Sequence, residues 1–326
     1  MQEAVALNHP MRSDVDPAFR ADVLAGLAAP IPAIPARWLY DRRGSELFEA
    51  ITRLPEYYPT RAERKLLEER SAEVAGVIGG GSVVVEFGSG SSAKTPLLLR
   101  AVRPAAYVPI DISGDFLRDS AAELSADFPG VRVEPLEADF MKPLTLPGGL
   151  PCGPRLGFFP GSTIGNMIAA TAVDLLRAMR RTLGTGASLL IGMDRIKDVD
   201  VLLRAYDDAA GVTAQFNLNL LHRINDELRG TIPIDAFRHR AIWNDALARI
   251  EMHLEAVKDV RFTVEDQCFA FAAGATIHSE NSHKYGLRDG RMLLHAGGWT
   301  PLREWVNEEE PFALILARAE PERFAP

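Results

Sequence analysis

Short apolar runs alternate with helical segments through the middle of the chain. The runs are SVVVEFG (82–88), AAYVPIDIS (105–113), VRVEPLEADF (131–140), RLGFFPGS (155–162) and SLLIGMD (188–194). The segments between them are long enough for helices of about 10 to 20 residues. This alternation predicts a parallel sheet with helices on both faces, because parallel strands need crossover connections and bury both of their sides. We therefore expect an α/β protein.

The alternation stops after Asp194. A long segment follows, with possible strands RIEMHLEAV and RFTVE, before a helix-like stretch and two last strands, TPLREWV and PFALILARA. We predict a sheet domain from residues 61–196 plus 286–326. Residues 1–60 plus 197–285 are predicted to form a second domain folded around the first.

The N-terminal region contains three predicted helices. One lies near 17–28 and precedes the Pro-rich connector AAPIPAIPARW. Apolar residues at helical spacing predict a second helix from Ser45 to Leu54 and a third over 60–77. In the third, Thr60 is the expected N-cap and Glu63 follows at the spacing of a capping box.

Charge and composition exclude several classes of partner. A net charge of −8, with no Lys/Arg-rich block, argues against nucleic acid and anionic membranes. Cys152 and Cys268 lie far apart, outside any disulfide or zinc pattern. The stretch MQEAVALNHPMRSDVDP lacks the pattern of a signal peptide, and no apolar run approaches the roughly 18 residues of a membrane span. We expect a cytoplasmic protein that is a monomer or a weak oligomer.

The stretch VVVEFGSGSSAKT (83–95) allows three interpretations. Compared with the phosphate loop GxxxxGK[ST], it lacks only the glycine before Lys94, where Ala93 stands, and Asp194 could serve as the metal-binding aspartate of a nucleotide triphosphatase. Compared with the dinucleotide motif G-x-G-x-x-G/A, it supplies Gly88 and Gly90, followed by an acid at a suitable distance. Either pattern alone is weak.

The third interpretation is a site for S-adenosylmethionine over the same sheet edge. Glu86, at the end of the first strand, would lie near the cationic tail, and Gly88 would give close backbone contact. Asp111 would accept hydrogen bonds from the ribose hydroxyls, while Asp139 and Phe140 would bind and stack on the adenine. These residues fall at successive strand ends, where open α/β sheets bind ligands, and favour the methyl donor over a dinucleotide. Taken singly, Asp111 or Asp139 could equally cap a helix.

More specific stretches cover almost the whole chain. They are WLYDRRGSELFEAITRLPEYYPTRAE (38–63), VEFGSGSSAKT (85–95), YVPIDIS (107–113), ADF (138–140), PGSTIGNM (160–167), LLRAYDDAAGVTAQFNLNLL (202–221), RIEM (249–252) and ENSHKY (280–285). In these stretches the chain resembles the histidine Nα-methyltransferases, which make hercynine, the trimethylated precursor of ergothioneine. The resemblance implies a Rossmann-like, class I methyltransferase sheet, a second domain that binds the substrate, and S-adenosylmethionine as cofactor.

The resemblance also implies the residues that contact each ligand. The residues for S-adenosylmethionine are Tyr40, Gly88, Lys94, Asp111, Asp139 and Phe140, to which the loop itself adds Glu86 and Gly90. The residues for L-histidine are Tyr57, Gly161, Asn166, Tyr206, Met252, Glu280 and Ser282. Lys94 would then bind the methionine carboxylate rather than a phosphate. Asn281 departs from the family, where an apolar residue is expected, but on a strand it would face away from its neighbours.

The chemistry assigns a role to each part of the histidine site. Tyr57 is the expected catalytic residue, because its hydroxyl could orient the amine and its ring could face the developing charge. Glu280 and Ser282 point the same way on a strand and could hold the two imidazole nitrogens, while Asn166 and Tyr206 hold the carboxylate. The alternative substrate is another aromatic amino acid, such as tryptophan.

A metal ion is not expected. His278 and His283 flank Glu280, but alternation along a strand does not bring three ligands together.

Overall fold

The computed structural model describes residues 15–90, 94–142 and 144–321. The N-terminal stretch considered for a signal peptide therefore lies almost entirely outside the described residues. Ala93 of the glycine loop lies outside them as well, as do the ends of both predicted domains at residues 1 and 326.

The described residues form helices and strands in alternation. The helices are α1 (Pro17–Ala28), α2 (Arg42–Ile51), α3 (Tyr58–Ile78), α4 (Thr95–Val102), α5 (Gly114–Asp127), α6 (Ala169–Leu183), α7 (Val199–Tyr206), α8 (Val212–Glu227) and α9 (Asp289–Ala296). The strands are β1 (Val83–Phe87), β2 (Ala106–Asp111), β3 (Arg132–Val133), β4 (Leu136–Glu137), β5 (Arg155–Phe159), β6 (Ser188–Asp194), β7 (Phe237–Asn244), β8 (Arg249–Ala256), β9 (Val260–Val264), β10 (Gln267–Phe271), β11 (Thr276–His283), β12 (Trp299–Asn307) and β13 (Phe312–Ala319).

The main sheet has eight strands in the order β12-β13-β6-β5-β1-β2-β3, and β4 also pairs with β2. The six strands from β1 to β6 run parallel in this sheet. The hairpin of β12 and β13 adds an antiparallel edge beside β6. The predicted α/β class is thus confirmed, and the two last strands complete the sheet as expected.

Both faces of the main sheet are buried. Along β1, Val83 and Val85 face one apolar cluster, and Val84 faces another. Helix α6 covers the first face, while α3 and α4 cover the second. This double coverage explains why the strand reads as a continuous apolar run rather than as alternating polar and apolar residues.

A third apolar core joins the N-terminal segment to the insertion. Its buried residues come from Phe19 to Tyr58 and from Leu202 to Ile277. They pack around the three-stranded antiparallel sheet β11-β8-β7 and the hairpin of β9 and β10. These are the segments predicted to form the second domain, and the domain boundaries themselves stay a prediction.

Three local predictions are wrong. Helix α2 ends at Ile51 rather than at Leu54. Helix α3 begins at Tyr58 rather than after Thr60, since Pro59 fits the first turn of a helix, where a missing N–H is tolerated. The strand expected over 131–140 is two short strands, because Pro135 between them has no N–H to donate to a sheet.

No helix among the described residues is long and apolar enough to cross a membrane.

Candidate active site

A cavity of about 400 Å³ lies at the carboxyl ends of the central strands. The chain places β2 on one side of β1 and β5 on the other, so the strand order reverses there, and open α/β sheets bind ligands at such a point. Gly88 follows β1 and Gly161 follows β5. Every predicted site residue lines this cavity: Tyr40, Tyr57, Glu86, Gly88, Gly90, Lys94, Asp111, Asp139, Phe140, Gly161, Asn166, Tyr206, Met252, Glu280 and Ser282.

Asp111 fixes the glycine turn to the end of β2. Its Oδ2 accepts a hydrogen bond from the Gly90 N–H at 2.9 Å, and its Oδ1 accepts one from the Ser113 N–H at 2.9 Å. The N-cap position of α5 is held by Ser113. The helix-cap alternative for Asp111 is therefore wrong.

Phe140 packs directly on the glycine turn. Gly88 has φ of +73°, and a Cβ built there would lie 3.2 Å from the Phe140 ring. Asp139 beside it accepts a hydrogen bond from the Met141 N–H at 2.9 Å, in a turn that no helix continues. The hydroxyls of a ribose need a carboxylate with free lone pairs. An adenine needs an aromatic ring to stack on and glycine backbone that allows a close approach. The residues present therefore fit the adenosyl part of S-adenosylmethionine.

Glu63 links the cofactor loop to the loop after β5. Its side chain is fully buried, and its Oε2 lies 2.5 Å from Lys94 Nζ and accepts the Gly161 N–H at 2.8 Å. A Cβ on Gly192 of β6 would lie 2.1 Å from the other carboxylate oxygen, so glycine is needed there. The predicted capping role of Glu63 is wrong, because the carboxylate is a buried counter-ion. Contact of Lys94 with the methionine carboxylate stays a prediction.

Glu86 is held from inside the protein. Its Oε2 accepts hydrogen bonds from Thr95 Oγ1 and from Tyr107 Oη, each at 2.6 Å. Burial raises the pKa of Glu86 to about 7, although both hydrogen bonds act in the opposite direction. Burial thus favours the protonated form of this carboxyl group, and its predicted proximity to a cationic ligand stays a prediction.

Glu280 forms the polar end of the cavity, on β11 of the insertion. Its Oε1 accepts hydrogen bonds from Asn166 Nδ2 at 2.9 Å and from Tyr40 Oη at 3.3 Å. Burial raises the pKa of Glu280 to about 7, against the lowering effect of the Tyr40 hydrogen bond. Asn166 reaches this point from a short 3-10 helix that follows β5.

The four side chains predicted to bind histidine through polar groups are bonded in two pairs. Tyr206 Oη lies 2.6 Å from Ser282 Oγ, and Asn166 Nδ2 donates to Glu280. Their contacts with the imidazole and the carboxylate stay predictions. Met252 pairs with Glu280 in the register of β8 and β11 and is 2% exposed. These side chains therefore form one connected wall, supplied mainly by the insertion.

Aromatic rings surround Tyr57. The ring centroids of Tyr57 lie 6.0 Å from Tyr206 and 6.2 Å from Phe48, and Tyr40 packs on Phe216 at 5.4 Å. Burial raises the pKa of Tyr57, so its hydroxyl keeps its proton at neutral pH. Phe48 and Phe216 also line the cavity and were missed as site residues. The helical spacing of apolar residues around Phe48 was visible in the sequence, but it indicates only a buried face.

Asn281 faces the opposite side of the sheet, opposite Glu251. On that side Glu251, His253 and His278 have ligand atoms within 4.8 Å of one another. The two imidazole rings are stacked with their centroids 4.7 Å apart, His278 Nε2 is bonded to the Glu280 backbone oxygen, and Arg249 lies 2.5 Å from Glu251. The absence of a metal ion stays a prediction.

Comparison with known proteins gives a consistent class. Residues 19–319 match the family described as histidine-specific methyltransferase, SAM-dependent. The chain is 43% identical to the histidine N-alpha-methyltransferases of Mycolicibacterium smegmatis and Mycobacterium tuberculosis, over 92% of this chain and 94% of each relative. It is 28% identical to the ergothioneine biosynthesis protein 1 of Neurospora crassa, over 88% of this chain and 33% of that protein.

Fold, site and family together define an S-adenosylmethionine-dependent methyltransferase. More narrowly, the chain belongs to the histidine-specific methyltransferase family, as the sequence predicts. The phosphate-loop alternative is wrong. Its candidate metal ligand, Asp194, is fully buried and bonded to Tyr58 and Lys197.

Proposed function

We propose that this enzyme transfers three methyl groups from S-adenosylmethionine to the α-amine of L-histidine, giving hercynine in ergothioneine biosynthesis. The observation that carries the proposal is one cavity with two different ends. Asp111, Gly88 and Phe140 form an end suited to an adenosyl group, and Glu280 with Tyr206 forms an end suited to a small polar amino acid. The names of the two mycobacterial relatives support the same substrate.

The reaction is an in-line displacement at the methyl carbon of a sulfonium. The attacking amine must be neutral and held about 3 Å from that carbon, so the protein contributes mainly by positioning. Tyr57 lines the cavity, with its ring centroid 6.0 Å from that of Tyr206, and it keeps its proton. Its hydroxyl therefore orients the amine through a hydrogen bond rather than acting as a phenolate base.

Glu280 recognises the imidazole ring. A neutral imidazole has one N–H, and the Glu280 carboxylate is an acceptor already oriented by Asn166 and Tyr40. With an apolar side chain in the site, this buried carboxyl group would be left without a ligand partner. Such an unpaired group gives strong discrimination, so leucine and phenylalanine are expected to be poor substrates.

Asn166 and Tyr206 bind the carboxylate. Asn166 Nδ2 donates one N–H to Glu280 and has a second N–H to offer. Burial raises the pKa of Tyr206, which keeps its hydroxyl protonated and able to donate. Two neutral donors thus hold an anionic group without an arginine in direct contact.

Mass spectrometry of the twenty amino acids, each incubated with enzyme and S-adenosylmethionine, tests the proposal. Histidine alone should gain three methyl groups, and a reaction without enzyme gives the background. Methylated tryptophan in place of histidine, or no product, would overturn the proposal. A monomer or weak oligomer in the cytoplasm is also proposed, and light scattering measures the first of these properties.

A further inference from the structure

Lys284 lies behind the wall of the cavity, directly after β11. Its side chain is 0% exposed. Nζ donates to Tyr206 Oη at 2.9 Å and to Ser282 Oγ at 2.8 Å, and it lies 2.8 Å from Asp194 Oδ2. An ammonium group has three N–H bonds, and these three contacts use all of them.

Asp194, at the end of β6, is the counter-ion of this ammonium. A buried charge needs such a partner, because burial without one is costly. Burial raises the pKa of Asp194, but Lys284 and Lys197 together outweigh that effect and hold the pKa below its usual value. The ion pair of Lys284 with Asp194 joins the insertion to the main sheet.

The contacts of Lys284 determine how the two hydroxyl groups meet a ligand. Tyr206 and Ser282 line the cavity, and each oxygen already accepts a hydrogen bond from the ammonium. Because the two oxygens also bond each other at 2.6 Å, one of the two O–H groups is used between them and one remains to donate to a ligand. The wall therefore presents a donor, which suits an acceptor group on the substrate.

The charge behind this wall is positive. Lys284 Nζ bonds both hydroxyls directly, whereas Lys197 Nζ lies 2.5 Å from the other oxygen of Asp194. The anionic end of an amino acid is favoured one hydrogen bond away from the Lys284 ammonium. Glu280, at the polar end of the cavity, repels the same anionic group.

We propose that Lys284 is a positioning residue for the carboxylate of the substrate. It orients the bonded hydroxyl pair of Tyr206 and Ser282, so that one O–H remains for the substrate carboxylate, and it places a positive charge one hydrogen bond behind that pair. The inference rests on the proposed function, since it assumes an amino acid in the cavity. It adds a buried ion pair, Lys284 with Asp194, to the residues that determine how the substrate is oriented.

Lys284→Met tests this role by calorimetry with L-histidine and with histamine, each in the presence of S-adenosylhomocysteine. Histamine has the imidazole and the amine but no carboxylate. L-Histidine affinity should fall at least tenfold, while the affinities for histamine and for S-adenosylhomocysteine change less than about threefold. If histamine binds too weakly for calorimetry, its inhibition constant gives the same comparison. The single variant leaves Asp194 paired with Lys197, one cation to one anion. Lys284→Gln, which keeps an N–H donor but not the charge, should also lose L-histidine affinity, so a poorly folded Lys284→Met does not prevent the test.

Lys197→Met is the matched control. It removes the other ammonium that bonds Asp194. Lys197 Nζ lies 3.6 Å from the centroid of the Tyr58 ring, and no hydrogen bond joins it to the hydroxyls of Tyr206 and Ser282. It should change L-histidine affinity less than about threefold. An equal loss for histidine and histamine, or an equal loss in Lys197→Met, would show that Lys284 is only structural. A wild-type enzyme that binds S-adenosylhomocysteine but no L-histidine would instead refute the proposed function, and this inference with it.

Discussion

Replacing Glu280 by glutamine should make the protein more stable at alkaline pH. Burial raises the pKa of this carboxyl group from 4.5 to about 7, so the folded chain holds the proton more tightly than the unfolded chain. Below about pH 4.5 both states are protonated and the effect is absent. As the pH rises toward 7 the unfolded chain ionises first, and the wild type loses stability. At 1.36 kcal/mol per pKa unit the full loss is about 3 kcal/mol, of which about 2.5 kcal/mol falls between pH 5 and pH 8.

Urea unfolding of Glu280→Gln and wild type at pH 5 and pH 8 measures this difference. Glutamine keeps the oxygen that accepts from Asn166 and Tyr40, so its free energy of unfolding should gain about 2.5 kcal/mol relative to wild type over that range. Glu251→Gln is the matched control on the other face of the same sheet. Burial raises the pKa of Glu251, but hydrogen bonds from Arg249, Asn244 and His253 together outweigh it and lower the pKa to about 2, so the carboxylate itself does not titrate between pH 5 and pH 8. The effect of Glu251→Gln should therefore change little over that range. The same stability difference at both pH values for Glu280→Gln would refute the reasoning.

Three further substitutions separate the parts of the site. Glu280→Ala should weaken L-histidine binding at least tenfold in calorimetry and leave S-adenosylhomocysteine binding within about twofold; equal losses would mean a structural role. Asp111→Asn should weaken S-adenosylhomocysteine binding about tenfold, since an acceptor for ribose hydroxyls becomes neutral, and an unchanged affinity would place the ribose elsewhere. Glu63→Gln should lower the free energy of unfolding by about 3 kcal/mol at neutral pH, because it leaves the Lys94 ammonium without its buried partner; a loss below about 1 kcal/mol would mean that the pair is solvated.

The sheet and the glycine turn could be predicted because their signals are local. The apolar run of β1 is buried on both faces, and Gly88 and Asp111 come where two parallel strands end. Since the carboxyl ends of parallel strands meet at one edge, residues far apart in the chain could be placed together before any coordinates. The substrate end, by contrast, was predicted only through the resemblance to a family.

Contacts between distant charged residues could not be predicted. Glu63 sits in a helix where a capping role explained it equally well, and nothing local shows that it reaches Lys94. Lys284 could have been found, because Glu280, Ser282 and Lys284 are spaced two apart, and continuing the alternation of β11 by one residue puts all three on the same side. The partner of Lys284, Asp194, lies in another sheet, and its pairing required the fold.

A crystal structure of the enzyme with S-adenosylhomocysteine and L-histidine tests the central claim most directly. The account predicts the imidazole ring at Glu280, the carboxylate at Tyr206 and Asn166, and the α-nitrogen beside Tyr57, facing the sulfur of the cofactor product. A histidine bound with its carboxylate at Glu280, or with a ring nitrogen facing that sulfur, would contradict it.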